Sequence, residues 1–431
     1  MLAQFGIAQV NVAQENSLAD HSNSGFAIHH HKELIGYFTA WNIYGQSPYY
    51  IKDILESGAA AHLTVINYAF ANITGGECSF GDSWADYEKP FSETESVDGE
   101  KNSAKLKGNF QELKELKAIY PDLKVLMSIG GGKWSRYFSD VALTEESREH
   151  FVASCIDLFI KGNLPIGEAL AAGIFDGFDI DWEYPASKGY GHNNYRAVDS
   201  QNFTLLLAEF RRQLEPYPNT RLSIAAPSAE FRYRKLELDS LQHYVDWINL
   251  MTYEFRGNYE PLTAHVANLY SSSTDPYEKP ISLDSVVKGY LAAGVPAYKR
   301  VVGIPFSGVG WSGVSGENNG LFQGSSGRGG YRSYRYLLTD MEAGYERFWD
   351  EESKSAWLFN GYRFWSFDDP EVIKAKMAYV NGLELRGAMF WRLDSDTDDA
   401  ELVKASYEGL YEDSTQASPQ SYRLSQASTP E

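Results

Sequence analysis

The stretch DGFDIDWEYP, Asp176 to Pro185, sets Asp176, Asp179, Asp181 and Glu183 within eight consecutive positions. Phe178, Ile180 and Trp182 lie between and beside the last three acids. In an extended chain, side chains alternate between two faces. Asp179, Asp181 and Glu183 then share one face, and the three apolar residues share the other. Successive acids stand about 6.6 Å apart along such a strand. Carboxyls gathered on one enclosed face raise each other's pKa through like charge and desolvation. The spacing therefore predicts shared protons and at least one acid that stays neutral near neutral pH, as a general acid must. Calcium loops also alternate acids, but they need a tight glycine turn and polar spacers. Phe, Ile and Trp as spacers fit a buried strand, so no metal is expected. Asp176 falls outside the row and is read as structural.

Such a row needs a strand that opens into a protected mouth. Eight short apolar runs have that character: LIGYF (34–38), LTVINYAF (63–70), LKVLMSIG (123–130), IFDGFDID (174–181), RLSIAAP (221–227), VDWINLMTY (245–253), RVVGIPF (300–306) and LRGAMFW (385–391). Segments with apolar residues at three- and four-residue spacing lie between most of them: 109–120, 147–160, 202–214 and 283–294. Repeated strand–helix alternation predicts an α/β fold, a (β/α)8 TIM barrel. The acid row then points inward, and Glu183 lies toward the C-terminal mouth, where barrel active sites form. One interval breaks the rhythm. About eighty residues separate strands seven and eight, and 307–367 is rich in Gly, Ser, Tyr and Trp. The expectation is a small α+β insertion domain at 307–367, followed by a helix near 369–380. The barrel would occupy 34–306 and 368–411, between a flexible leader (1–33) and a loose polar tail (412–431).

Composition narrows the partners. Of 431 residues, 38 are Lys or Arg and 58 are Asp or Glu, a net charge of −20. Phosphate backbones and anionic lipid repel such a chain, so nucleic acid and membrane surfaces are not expected partners. No run of 18 apolar residues suggests a membrane span. The first residues lack the basic and apolar regions of a secretory signal. Cys78 and Cys155 are too few for a disulfide framework or a zinc site, and one disulfide and two thiols both remain open. HHHK (29–32) lies in the polar leader without partner ligands. Gly130–Gly132 lacks the residues that complete a phosphate loop, so close backbone packing is expected there and no cofactor.

DGFDIDWEYP resembles the D-x-x-D-x-D-x-E signature of family 18 glycoside hydrolases, the chitinases. YFTAWNIYG (37–45), INYAF (66–70), SIGG (128–131), AAP (225–227), MTYEF (251–255) and MFWRLDSD (389–396) resemble the family's other strands in order. The insertion resembles the one carried by one branch of that family. The resemblance implies a retaining hydrolase of β-1,4-linked N-acetylglucosamine in chitin and chitooligosaccharides. Glu183 would be the general acid, and the substrate's own acetamido carbonyl would attack C1. Asp181 would hold the acetamido N–H. Asp179, helped by Ser128 and Tyr37, would share its proton, and Tyr253 would hydrogen-bond the acetamido oxygen. Sugar contacts are implied for Tyr37, Phe70, Ser128, Trp134, Tyr184, Met251, Glu254 and Trp391, with Met251 and Trp391 as the floor. Trp41, Trp134 and Trp311 are candidates for further sugar subsites. An external substrate implies an extracellular enzyme.

Two positions depart from the family pattern. Glu254 stands where Asp is usual, which puts its carboxylate about 1 Å further out. Gly132 stands where Trp often follows SIGG, so that either Trp134 takes over or an aromatic platform is missing. Two other functions share parts of the motif: a chitin-binding lectin on the same barrel, and an endo-β-N-acetylglucosaminidase acting on N-glycans. Lectin relatives lose the acid, whereas Glu183, Asp181 and Tyr253 are all present here. The insertion and the aromatic mouth argue against the second.

Overall fold

A computed structural model describes residues 32–411. The expected leader and tail, with His29–His31, otherwise lie outside the described residues. Eight parallel strands close into a barrel: β1 (Glu33–Thr39), β2 (Val65–Thr74), β4 (Lys124–Gly130), β5 (Gly177–Asp181), β6 (Arg221–Pro227), β7 (Trp247–Met251), β8 (Arg300–Pro305) and β14 (Gly387–Trp391). Closure comes from β1, which pairs with both β2 and β14. The chain enters the fold slightly earlier than the sequence suggests. Glu33 already pairs in β1 and meets Arg386 at 2.9 Å, and Lys32 Nζ donates to the Leu385 carbonyl at 2.6 Å.

Each barrel strand is buried on both sides, as parallel strands under helices must be. Phe178, Ile180 and Trp182 belong to the layer between barrel and helices, where Trp182 stacks on Phe138 at 5.3 Å. Ile35, Tyr37, Leu126, Trp247 and Met389 fill the interior. The crossover helices start from sequence-encoded caps. Thr144 caps Glu145–Cys155, Ser282 caps Leu283–Ala292, and Asp369, followed by Pro370, caps Pro370–Gly382.

Two features were not visible as elements in the sequence. β2 runs on into a hairpin with β3 (Glu77–Ser79) through Gly75–Gly76, both at positive φ, as a two-residue turn of this hand requires. A disulfide joins Cys78 on β3 to Cys155 at the end of the helix Glu145–Cys155, settling the open cysteine question. Asp176 is structural, as expected: its carboxylate accepts from the Val125 amide at 2.8 Å and from Lys117 at 2.6 Å.

Between β8 and β14 the chain builds a five-stranded antiparallel sheet in the order β10-β9-β13-β12-β11. These are β9 (Ser307–Ser312), β10 (Gly327–Ser333), β11 (Glu346–Asp350), β12 (Ser355–Phe359) and β13 (Arg363–Phe367), with a helix at Tyr334–Glu342. Its core holds Val309, Trp311, Trp357 and Phe364, and it recruits Val266 and Ala267 from the segment after β7. Trp311 is therefore no sugar platform. It is fully buried, and its Nε1 donates to the Glu260 carbonyl at 3.1 Å.

Candidate active site

Strand register assembles the site. β5 lies between β4 and β6, so Asp179 sits beside Ser128 on one side and Ser223 on the other. Tyr37 Oη and Ser128 Oγ donate to Asp179 Oδ2 at 2.6 and 2.8 Å. Ser223 Oγ and Asn249 Nδ2 donate to Oδ1 at 2.7 and 3.1 Å. Four different strands thus donate to one fully buried carboxyl. Burial raises its pKa overall, and the four donors offset part of that rise. The sequence singled out Tyr37 and Ser128 for this role but not Ser223. Asn249 alternates with Trp247 and Met251 along β7, and so shares their face of the strand.

Asp181 is 5% exposed. Its Oδ1 is buried without a hydrogen-bond partner among the described residues. Burial raises its pKa well above the ordinary carboxylate range, and the charges of Glu183 and Asp179 push it further. The donors fill the lone pairs of Asp179, no hydrogen bond joins it to Asp181, and its influence on Asp181 is through space.

Glu183 follows the strand and is held by its backbone. Its amide donates to Ser135 Oγ at 2.8 Å, and its carbonyl accepts from Asn193 Nδ2 at 3.1 Å. Its Oε1 lies over Gly132, where an added Cβ would stand 3.6 Å from it. Burial raises the Glu183 pKa; Tyr184 and Arg232 lower it, and Glu254 raises it. The glycine run packs closely, as expected: a Cβ on Gly130 would strike the Asp181 carbonyl at 2.4 Å.

Aromatic rings surround the acids. Trp391 meets Tyr37 at 5.5 Å and stacks on Phe70 at 6.0 Å. Trp41 meets Phe70 at 6.1 Å and Trp134 at 6.4 Å. Trp134 thereby joins the aromatic mouth while Gly132 leaves room for Glu183. Tyr253 packs against both the barrel interior and the core of the insertion sheet. Its ring lies over Gly303, where any Cβ would come within 2.7 Å of it. Met251 ends β7, partly exposed. Non-proline cis peptide bonds occur at Ala69–Phe70, Glu183–Tyr184 and Trp391–Arg392, all on the mouth side of the barrel. Arg232, not singled out from sequence, lies 4.0 Å over the Tyr184 ring.

This barrel, with a carboxyl row and an aromatic rim at its C-terminal mouth, has the architecture of a carbohydrate-cleaving enzyme. The profile of glycosyl hydrolases family 18 matches residues 33–396, and the chain belongs to that family. It is 34% identical to chitinase A1 of Niallia circulans, over 84% of this chain and 56% of that protein. It is 32% identical to chitinase 1 of Aphanocladium album, over 88% of this chain and 86% of the relative. The catalytic domain of psychrophilic chitinase B from Arthrobacter TAD20 superposes with a TM-score of 0.83 at 34% identity, covering 88% of this chain and 95% of that one. The chain spans little more than half the length of several curated relatives, 56% of chitinase A1 and 57% of chitinase C of Streptomyces lividans.

Proposed function

We propose that the protein is a retaining chitinase that cleaves β-1,4-linked N-acetylglucosamine by substrate-assisted catalysis. The observation that carries this reading is the buried, unpartnered Oδ1 of Asp181 beside Glu183. A buried acceptor without a donor is costly, and an acetamido N–H supplies the missing hydrogen bond.

In this reading Glu183 donates its proton to the glycosidic oxygen as the bond to C1 breaks. The acetamido carbonyl oxygen of the same sugar bonds to C1, forming an oxazolinium ion. Asp181 accepts the acetamido N–H, and Tyr253 donates to the acetamido oxygen. Asp179 is held on its four donors, and its charge adds to burial and to the charge of Glu183 in keeping the Asp181 pKa raised. Glu183, now ionised, takes a proton from water as that water bonds to C1 and the bond between C1 and the acetamido oxygen breaks, which regenerates the acetamido group and Glu183 with net retention. Trp391, Phe70 and Met251 form the apolar floor for the sugar, Trp134 extends the rim, and Tyr184 lies beside the acid. We take 307–367 as the insertion that walls the groove. The substrate is an external polymer and the cysteines are oxidised, which supports action outside the cell.

Glu183→Gln should lower hydrolysis of chitohexaose by about 10²–10⁴-fold while chitohexaose binding persists. Unchanged turnover would overturn the assignment. Release of glycans from a glycoprotein, with colloidal chitin untouched, would favour the endo-N-acetylglucosaminidase reading instead.

A further inference from the structure

A cavity of about 370 Å³ lies between the barrel mouth and the insertion sheet, with Trp41, Glu254, Val309, Tyr331 and Trp391 among its walls. That is the size of a small ligand pocket. Glu254 enters it from the turn after β7, with a left-handed φ of 51° that is unusual for a non-glycine residue. Tyr331 enters from the opposite side, on β10, paired with Val309 on β9. Its hydroxyl donates to Glu254 Oε2 at 3.1 Å. The other oxygen, Oε1, has no hydrogen-bond partner among the described residues, and Glu254 is an exposed residue. Tyr331 is 58% exposed and contributes no core packing.

We propose that Tyr331 is a positioning residue for substrate: it fixes the Glu254 carboxylate so that Oε1 accepts from a hydroxyl of a pyranose lying against Trp41 and Trp391. The inference rests on the hydrolase reading above. It gives the longer Glu at 254 a physical purpose. The extra methylene carries the carboxylate toward the insertion sheet, and a partner there holds it. A loose carboxylate would have to lose side-chain freedom on each binding event, whereas a tethered one is already ordered.

The test uses the full chain, chitohexaose kinetics and thermal melts. Y331F, E254Q and the double variant Y331F/E254Q are compared with wild type, together with E254D. Y331F should raise KM about five-fold, the loss expected for one modest hydrogen bond, with a smaller effect on kcat and an unchanged Tm. E254D, with its carboxylate drawn back, should raise KM similarly. The double variant should be no worse than E254Q alone, because Tyr331 acts through Glu254. An unchanged KM in Y331F, or losses that multiply in the double variant, would overturn the proposal while leaving the hydrolase reading intact. Wild-type protein that does not cleave chitohexaose would remove the hydrolase reading, and this proposal with it.

Discussion

Opposing charges meet around Glu183. Asp181 and Glu254 are carboxyls, Arg232 is the nearby cation, and the phenols of Tyr184 and Tyr253 complete the surroundings. The charge of Glu254 raises the Glu183 pKa and that of Arg232 lowers it. In the proposed reading Glu183 is the general acid, which works only while protonated, so its pKa sets the alkaline limb of kcat/KM. Glu254→Gln removes the raising charge, and the limb should move to lower pH. Arg232→Met removes the lowering charge, and the limb should move to higher pH. Profiles on chitotetraose that shift together, or not at all, would show that these charges do not reach the acid. The acid row itself was legible from period-two spacing, because strand geometry is local. Ser223, Arg232 and Tyr331 were not, because each reaches the site from an element distant in sequence, set by register and packing rather than by any nearby pattern.

At the scale of elements, the alternation of β-branched runs with helical periodicity exposed all eight barrel strands. The insertion sheet stayed hidden strand by strand. Its β9 and β10 are rich in Gly and Ser, which are poor strand formers on their own, and their pairing depends on the core built by Trp311, Trp357 and Phe364. Trp311 was misjudged for the same reason: its position after strand seven suggests the mouth, whereas the sheet turns it inward. The hairpin β2–β3 depends on a cross-link. Cys78 ties it to the helix ending at Cys155, across a sequence separation of 77. Replacing both cysteines with serine should cost about 2–4 kcal/mol of stability, by freeing a long loop in the unfolded chain. Calorimetry would check this, and an unchanged Tm would mean that the hairpin needs no tether. The cysteines lie outside the acid cluster, so turnover well below the melting temperature should persist.

For the whole molecule, buried acids govern the response to pH. Burial lifts Asp86 to about 8, Glu112 to about 7, and Asp368 and Asp396 to about 6. The native state keeps these protons after the unfolded chain has released them near pH 4, so stability falls as pH rises from about 4 toward 8. Glu95 acts oppositely. It is held down to about 2, mainly by hydrogen bonds to Ser92, Tyr50 and Lys89 that outweigh its burial, and its contribution is lost as pH falls below the ordinary range. A net charge of −20 adds self-repulsion in the alkaline direction. Thermal melts should therefore show the highest Tm in mildly acidic buffer and a steady decline toward pH 8.5. A maximum above pH 7 would contradict these assignments. The strand β10 carries Tyr331 along the outer margin of its sheet, bonded to a neighbour on one side only. None of the four donors to Asp179 lies on β10, and Tyr331 reaches the acid row only through Glu254. A laboratory library confined to β10 would therefore vary the outer wall of the groove while leaving the barrel strands and the donors to Asp179 in place.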